Sequence, residues 1–466
     1  MNDGRQKFQR SRGSIPDRDF YSGQKGEALK PEIRATESLI AECNPGSPTG
    51  TKTLMEEVCN RANLERALKR VKANKGSGGV DGMKVEELSA YLKGNWQEIK
   101  ERLLTGAYKP QPVKRVEIPK PDGGMRKLGI PAVLDRFIQQ AILQVLQEMY
   151  DKTFSEHSYG FRPKRSAQQA VLQAQKYISE GHTIVVDIDL EKFFDKVNHD
   201  RLMSTLAKRI EDKRMLKVIR AYLNAGVMEG GLVKLAQEGT PQGGNLSPLL
   251  SNIVLDELDK ELEKRGHLFV RYADDSNIYV KSARAGERVM KSVTKFITEK
   301  LKLKVNEAKS AVDKPSKRRF LGYSFTNEAS PRIRIAPKSL KRFKERIREI
   351  TNRNRGISLM RMVKELMDYV RGWMGYYRYC QTPSILEQLS SWIRRRIRCY
   401  IWKQWKTFAN RAAMLIKRGV SEKIAYASAR APGLWVASHS ESLQVALPNS
   451  YFARIGVCPL KSFVKV

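Results

Sequence analysis

The sequence predicts an α+β fold, in which an antiparallel sheet with helices precedes an all-helical region. Two apolar, β-favouring segments support the sheet, because residues 183–195 run into acidic residues and residues 268–280 turn at an acidic pair. A third β-like stretch, residues 114–131, doubles back through a Pro-Asp-Gly-Gly turn. From residue 331 onward, apolar residues recur at helical spacing among many lysines and arginines.

Charge is the most unusual feature of the whole chain. Its 466 residues carry a formal net charge of +36, and such a surface favours a polyanionic partner. We expect no membrane association, because there is neither an apolar run of 18 residues nor a signal peptide. The five cysteines contain no Cys-x-x-Cys pair, which argues against a zinc site or a disulfide framework and favours a cytoplasmic protein.

The N-terminal third begins with a polar segment and ends in a basic hairpin. Residues 1–52 are rich in Gly, Pro, Ser and charge, so we expect a flexible basic extension. Helical patterns follow from residue 54 and again from residue 85, separated by a glycine-rich break. The hairpin arms over residues 114–131 carry the cations Lys114, Arg115, Lys120, Arg126 and Lys127. These cations suit an incoming triphosphate, although a basic hairpin on the surface would have the same pattern.

Four further helices frame the acidic segments. Apolar stripes predict helices near residues 134–150, 166–178 and 285–301. In the segment Gly-Thr-Pro-Gln-Gly-Gly-Asn-Leu-Ser-Pro, Ser247 is expected to be the N-cap and Pro248 the first residue of a helix that ends near Gly266.

Acidic residues at the two strand ends are the candidate chemistry. Strand alternation places Asp187 and Asp189 on one side, while Asp274 and Asp275 occupy the tip of the second segment. An Asp-Asp pair alone is more often a solvated turn. Carboxylates pooled from two strands repel one another, so such a site is stable mainly when divalent cations neutralise it. Paired metals are the means of in-line phosphoryl transfer in polymerases.

Several motifs in order carry a resemblance to a known family. The Tyr-Ala-Asp-Asp tetrapeptide at residues 272–275, the Ser-Tyr-Gly-Phe-Arg-Pro box at residues 158–163 and the Pro-Gln-Gly box at residues 241–243 resemble those of reverse transcriptases. The match narrows to the reverse transcriptase/maturase proteins of bacterial group II introns, over residues 54–406. It implies a right-hand polymerase architecture: fingers and palm in residues 53–330, and a helical thumb or maturase domain in residues 331–406.

The resemblance also implies roles for individual residues. Asp189 fits the family's metal-binding position by its spacing to Phe193-Phe194, with Asp187 as the weaker candidate. Two Mg²⁺ ions, for which Mn²⁺ is a substitute, would be held by Asp189, Asp274, Asp275 and the carbonyl of Leu190. Phe194 is either a gate against ribonucleotides or a core aromatic. Substrate contacts are implied for Lys120, Arg126, Phe194, Gln242 and Gly243.

Nucleic-acid contacts are expected mainly beyond the palm. Residues 331–430 contain 25 lysines and arginines against six acidic residues, interleaved with aromatics, which suits RNA backbone binding and base stacking. Arg162 holds a template phosphate or braces the fingers. The implied partners are intron RNA, an RNA template with a DNA primer, target DNA and deoxynucleoside triphosphates. The implied contact residues are Lys114, Arg162, Lys309, Arg394, Arg395 and Arg396.

The C-terminal residues 407–466 are less distinctive. We expect a basic, nucleic-acid-binding region with short β-like runs, and the Cys pairs and His of the HNH endonuclease found in many relatives are missing.

Three alternatives for the function of the protein stay open: a maturase that only assists splicing, a reverse transcriptase recruited to another role, and, less favoured, an RNA-dependent RNA polymerase, whose hairpin typically reads Gly-Asp-Asp.

Overall fold

The computed structural model describes residues 51–119, 124–229, 232–234, 239, 243–431 and 433–464, without the side chains of residues 126, 229 and 232–234. The predicted N-terminal extension therefore lies outside the described residues, except for its last two positions. Across the described residues, no helix combines the length and the apolar character that crossing a bilayer requires.

Helices and strands are interspersed up to residue 335, and beyond it the described residues form only helices. The described strands are β1 (Val113–Pro119), β2 (Met125–Ile130), β3 (Ile184–Ile188), β4 (Val227–Glu229), β5 (Leu232–Lys234), β6 (Leu268–Tyr272), β7 (Asp275–Val280), β8 (Ala311–Asp313), β9 (Tyr323–Phe325) and β10 (Ile333–Ile335). The helices up to β8 are α1 (Leu54–Val58), α2 (Arg61–Asn74), α3 (Leu88–Leu104), α4 (Val133–Asp151), α5 (Ala167–Ser179), α6 (Phe193–Lys196), α7 (His199–Ala207), α8 (Lys213–Asn224), α9 (Ser247–Lys264) and α10 (Ala283–Glu299). After β10 come α11 (Pro337–Ile350), α12 (Leu359–Tyr377), α13 (Pro383–Gln404), α14 (Phe408–Ile416), α15 (Glu422–Ala429), α16 (Leu434–Ala437), α17 (Glu441–Ala446), α18 (Asn449–Arg454) and a 3₁₀ helix (Leu460–Phe463).

The central sheet contains both acidic segments. Its strand order is β6-β7-β3-β8, and every neighbouring pair is antiparallel. Asp187 on β3 lies opposite Asn277 on β7, and Tyr272 pairs with Asp275 across the β6–β7 turn. The register therefore brings the acidic end of β3 beside the acidic turn, as strand alternation and the two apolar segments predict.

A second sheet is built on the basic hairpin. Strands β1 and β2 are antiparallel over six residue pairs, from Lys114↔Ile130 to Pro119↔Met125. The short strands β4 and β5 extend this sheet, because β4 runs parallel to the start of β1 at Val113↔Val227. The hairpin predicted from the sequence is confirmed, and β4 ties it to the chain that leads toward residue 243.

Two hydrophobic clusters cover the two faces of the central sheet. Val186 and Ile188 of β3 belong to the cluster that α4, α9 and α10 build, whereas Val185 belongs to the cluster that includes α5, β9, β10 and the C-terminal helices. Alternate residues of one strand thus face different clusters. The second cluster is continuous across residue 330, so the helical region is packed directly onto the sheet. The α+β prediction is confirmed.

Serine residues set the starts of two predicted helices. The side chain of Ser166 accepts a hydrogen bond from the Gln169 amide before α5, and Ser282 caps α10 in the same way. The prediction for α9 was wrong by one residue, because Ser247 is its first helical residue and Leu246 is the N-cap, without a side-chain cap. Pro248 still lies in the first turn, where its missing N–H has no intrahelical partner to lose.

The C-terminal region differs from the prediction. Its described residues form helices α14 to α18, where the sequence led us to expect short β-like runs. Apolar runs of four to six residues do not distinguish strand from helix by periodicity. The caps decide here, because the Thr407 side chain accepts from the Asn410 amide and Ser440 accepts from the Leu443 amide.

Candidate active site

The acidic turn is a tight connection between β6 and β7. Ala273 and Asp274 are its two central residues, and Asp275 is the first residue of β7. Ala273 has a φ of 57°, in the left-handed region that is disfavoured for residues other than glycine. This conformation places Asp274 at the tip of the hairpin.

Three of the predicted carboxylates line one cavity. Asp187, Asp189 and Asp275 face a space of about 730 Å³ between the central sheet and the start of α11. Solvent reaches the Asp275 carboxylate, but the dense protein around the cleft desolvates it in part. This desolvation, together with the charges of Asp274, Asp187 and Asp189, raises the pKa of Asp275 to about 7. The structure therefore concentrates four carboxylates whose negative charges act on one another.

Two of these carboxylates contact cations of the chain itself. Arg318 donates through both Nε and Nη2 to Oδ2 of Asp187, at 2.9 and 2.6 Å. Burial raises the pKa of Asp187, and the Arg318 hydrogen bond opposes that shift. Lys309 Nζ lies 3.6 Å from Oδ2 of Asp189. Both contacts reduce the repulsion that the acidic cluster would otherwise suffer.

The backbone around Asp189 is fixed by the segment before β8. The Asp189 amide donates to Oγ of Ser310 at 3.0 Å, and the Asp189 carbonyl accepts from the Asn306 amide at 2.8 Å. Leu190 forms an isolated bridge with Val305, and its side chain is buried. The strand end that carries Asp189 is therefore held on both sides of the residue.

The carboxylates suit divalent cations by their chemistry. Among the residues that the structure describes, no three Asp, Glu, His or Cys side chains come close enough together to hold a metal ion. The donor set is nevertheless carboxylate oxygen, which Mg²⁺ prefers, and the mutual repulsion felt at Asp275 is what a bound cation would relieve. The metal roles of Asp189, Leu190, Asp274 and Asp275 stay predictions.

Much of the remaining cavity lining is basic. Its cationic side chains come from the segment before β8, from the loop between β8 and β9, from β10 and from α11. A cleft that combines carboxylates with several cations suits a phosphate backbone whose reactive end meets the acids. The basic lining residues are Lys309, Lys317, Arg318, Arg319, Arg334, Lys338 and Arg342.

Directly behind the acidic turn lies a buried arginine. Arg271 on β6 is fully buried and forms an ion pair with Asp259 of α9, which is equally buried. Its guanidinium also donates to the carbonyl of Ala273 in the turn, at 2.9 Å, and to Asn252 and Ser158. A charged group without solvent must have its hydrogen bonds satisfied by protein, and these acceptors satisfy them.

The Ser-Tyr-Gly-Phe-Arg-Pro box packs against the same turn. A Cβ added at Gly160 would lie 2.2 Å from the backbone nitrogen of Ala273, so only glycine fits there. Arg162 is buried and donates to Asp151 and to the carbonyls of Ser155 and Ser158. Of the two roles predicted for Arg162, the geometry supports bracing, because these contacts turn its guanidinium toward protein acceptors.

The predicted substrate residues are only partly described. Phe194 on α6 is half-buried, with its ring 5.3 Å from that of Phe193, and it packs at the edge of the first cluster. Gly243 has a φ of 122°, and an added Cβ would lie 2.3 Å from the Gly129 carbonyl of β2. Gly243 thus lies close to the basic hairpin. Outside the described residues lie Lys120, Gln242 and the side chain of Arg126.

The predicted nucleic-acid contacts have different surroundings. Lys114 is exposed on β1. Arg395 stacks on Trp435, with its guanidinium carbon 3.8 Å from the ring centroid, and Arg396 donates to Oγ1 of Thr351. Burial lowers the pKa of Arg394. The arginines of α13 therefore contact neighbouring parts of the protein, and less of their positive charge is exposed to solvent than their number indicates.

Arg318, Ser310 and the Arg271 network were missed by the sequence reasoning. For the network a signal existed: Asn252, Asp256 and Asp259 recur at i, i+4 and i+7 on the buried stripe of α9. Polar residues at core spacing indicate a buried polar partner, and Arg271 within an apolar strand supplies it. No comparable pattern marks Ser310.

Comparisons with known proteins identify two domains in this chain. The model of "Reverse transcriptase (RNA-dependent DNA polymerase)" matches residues 118–325, and that of "Group II intron, maturase-specific domain" matches residues 340–418. The chain is 34% identical to "Protein YkfC" of Escherichia coli (strain K12), over 50% of this chain and 71% of that protein. It is 31% identical to "Group II intron-encoded protein LtrA" of Lactococcus lactis subsp. cremoris, over 59% of this chain and 57% of LtrA.

Solved structures include one similar chain in a "Partial Cas6-RT-Cas1--Cas2 complex", with 26% identity and a TM-score of 0.34, over 53% of this chain and 42% of that one.

This protein spans little more than half the length of LtrA. The two matched domains imply RNA as a partner, and the polymerase domain implies dependence on divalent metal ions. The resemblance seen in the motifs is confirmed: this chain belongs to the reverse transcriptase/maturase family of group II introns, with an RNA-directed DNA polymerase domain followed by a maturase-specific domain.

Proposed function

We propose that this protein copies group II intron RNA into complementary DNA from a DNA primer, and that it also binds the intron RNA to assist its splicing. The observation that supports polymerisation is the cavity that Asp187, Asp189 and Asp275 line together with seven lysines and arginines. A binding surface for RNA alone has no need of carboxylates, because they repel phosphates. A polymerase needs both, the acids for chemistry and the cations for the strand.

Asp189, Asp274 and Asp275, with the carbonyl of Leu190, are the groups that would hold two divalent cations. The chemistry that bound Mg²⁺ supplies in such sites is a lowered pKa of the attacking hydroxyl and neutralisation of the charge on the phosphates. The chain orients these groups through the fixed backbone of Asp189 and the tight turn at Ala273. Arg318 keeps Asp187 engaged, so that Asp187 is the weaker candidate for a ligand.

The cations beside the acids would hold the primer strand and template. Lys338 and Arg342 lie on α11, on the thumb side of the cavity, whereas Lys309 reaches Asp189 from the palm side. Phosphates held between these two sides would keep the primer end beside the carboxylates, which is positioning rather than covalent catalysis. Phe194 is proposed as the group that rejects a ribose 2′-hydroxyl.

Primer extension with purified protein tests the polymerase proposal. Asp189→Ala and Asp274→Ala should each abolish extension of a DNA primer on an RNA template while leaving template binding nearly intact. The matched control is Glu191→Ala, two residues beyond Asp189, where an exposed ion pair with Lys304 contributes little. Near-wild-type extension by either Asp variant would remove that residue from the site.

The maturase role has its own support and its own test. Residues 340–418 match the maturase-specific domain, and the surrounding residues 331–430 carry a large excess of positive charge. Intron splicing in vitro at near-physiological magnesium should therefore be accelerated by wild type and by Asp274→Ala alike. Splicing that falls with Asp274→Ala would tie both activities to the cleft.

A splicing factor without polymerase activity is the second candidate. It is favoured by the contacts of Asp187 with Arg318 and of Asp189 with Lys309, which occupy two carboxylates with cations of the chain. Under this candidate wild type binds intron RNA and accelerates splicing but extends no primer with either Mg²⁺ or Mn²⁺. Extension by wild type in the same preparation rejects it.

A further inference from the structure

We propose that Arg271 is a positioning residue of the polymerase site, and that together with Asp259, Asn252 and Ser158 it fixes the direction in which the acidic turn presents Asp274. The inference rests on the proposed function, since it assigns to the turn the task of orienting a metal-binding carboxylate. It concerns a group that lies behind the site and that no substrate can reach, because Arg271 is fully buried.

Five hydrogen bonds fix the guanidinium in one orientation. Nε and Nη2 donate to the two carboxylate oxygens of Asp259, at 2.7 and 2.6 Å, and Nη2 also donates to Oγ of Ser158 at 2.8 Å. Nη1 donates to Oδ1 of Asn252 at 3.0 Å and to the carbonyl of Ala273 at 2.9 Å. All five N–H groups of an arginine are thereby used.

Packing alone does not account for a charged pair at this place. Desolvation of two charges opposes their attraction, and buried ion pairs are often replaceable by apolar side chains of similar volume without loss of stability. What an apolar pair cannot supply is a donor to the carbonyl of Ala273. That carbonyl belongs to the residue with φ of 57°, a conformation that an alanine keeps only when its surroundings hold it.

The anchor groups come from separate parts of the palm. Asn252 and Asp259 lie on α9. Ser158 lies in the Ser-Tyr-Gly-Phe-Arg-Pro box before α5, and its backbone forms a β-bridge with Arg271 itself. Asn252 donates in addition to the carbonyl of Gly160, the residue that touches the turn from the other side. Movement of the turn would therefore break contacts to both segments, so the direction of Asp274 follows from the rigid palm.

The test compares Arg271→Lys with Arg398→Lys. Lysine keeps the charge beside Asp259 but has three donors for the five acceptors, so the fixed arrangement that includes the Ala273 carbonyl is lost. Arg398 is also buried and also donates to a backbone carbonyl, that of Leu447, but it lies on α13. Asn252→Ala is the milder second variant, for use where Arg271→Lys does not fold.

Four quantities are measured for each variant. They are the Mn²⁺ affinity by electron paramagnetic resonance, the burst amplitude of nucleotide incorporation, which counts active molecules, the incorporation rate per active molecule, and the melting temperature. For Arg271→Lys we expect a Mn²⁺ dissociation constant raised about tenfold and a rate per active molecule lowered about 10- to 100-fold, with the amplitude nearly kept. For Asn252→Ala, the logarithms of the changes in Mn²⁺ affinity and in rate should each be about a third of those for Arg271→Lys. Arg398→Lys should lower the melting temperature only.

Each other outcome has a definite meaning. A lower amplitude with unchanged rate and Mn²⁺ affinity would make Arg271 merely structural and overturn the inference. If wild type incorporates no nucleotide but binds Mn²⁺, and Arg271→Lys weakens that binding, the positioning role stands while the polymerase proposal fails. If the Mn²⁺ affinity of Arg271→Lys equals that of wild type, the inference fails whatever the polymerase does.

Discussion

Replacement of Gly160 by alanine would push directly on the acidic turn. The new Cβ would lie 2.2 Å from the Ala273 nitrogen and 2.9 Å from the Tyr272 carbonyl carbon. Both are backbone atoms, so no side chain can rotate away. Restoring even a 3.0 Å contact requires the box and the turn to separate by about 0.8 Å. Overpacking of this kind costs about 1–3 kcal/mol, which is less than the roughly 5–15 kcal/mol that holds a domain folded.

The effect on activity should be larger than the effect on stability. A displacement of about 1 Å at a reacting group can cost about 10²-fold in rate. For Gly160→Ala we therefore expect a folded protein, a melting temperature lowered by several degrees, and single-nucleotide incorporation slowed about 100-fold at saturating primer–template. Rapid-quench kinetics gives the rate, and thermal denaturation gives the stability.

Gly94→Ala is the matched control, because Gly94 is exposed inside α3 and an added Cβ there meets nothing within 4 Å. Alanine at that position should stabilise the helix by up to about 1 kcal/mol and leave incorporation unchanged. The reasoning is refuted if Gly160→Ala retains the wild-type rate, since the box would then give way without moving the turn. Equal losses in both variants would also refute it.

Three further predictions concern separate groups. Burial raises the pKa of Asp135 to about 6 despite hydrogen bonds from Tyr108 and Gln111, so ionisation of this carboxyl opposes folding. Between pH 7 and pH 5 the free energy of unfolding of wild type should therefore rise by about 1 kcal/mol relative to that of Asp135→Asn. The same pH dependence of unfolding in both proteins would contradict this. Arg318→Met should lower the free energy of unfolding by about 1–3 kcal/mol, because the half-buried Asp187 loses its partner. The double variant with Asp187→Leu should recover most of this loss, as measured by urea unfolding. Phe194→Ala should raise the incorporation of ribonucleotides relative to deoxynucleotides, whereas an unchanged ratio would return Phe194 to the core.

Local patterns were sufficient to predict the central sheet and its helices. The apolar run ending in Asp187 and Asp189 predicted a strand with both acids on one side. Both line one cavity, Asp187 from β3 and Asp189 from the position that follows β3. Apolar stripes predicted α5 and α10, and in the structure a serine N-cap begins each of these helices. These signals lie within a few residues of the element they define, so a single sequence contains them.

Partners distant in sequence were not predictable in the same way. The bond from Arg318 to Asp187 spans 131 positions, and the bond from Arg271 to Ser158 spans 113. The sequence identifies charged residues as probable surface groups unless a buried partner is known, and that partner depends on the register of the fold. The C-terminal helices were missed for a different reason, because their short apolar runs favour neither structure until the caps of α14 and α17 are recognised.

The placement of the buried network follows from what the cleft must do. On the proposed function, the carboxylates receive a primer end and a triphosphate, so they must face an open space, and protein that filled this space would exclude the substrates. The restraint must come from behind, where β6 has only the interior of the palm. An apolar layer would support the strand but not the carbonyl of Ala273, which needs a donor. A buried arginine such as Arg271 can bond that carbonyl while Asp259 compensates its charge, and this explains a charged pair in a position where packing alone would favour apolar residues.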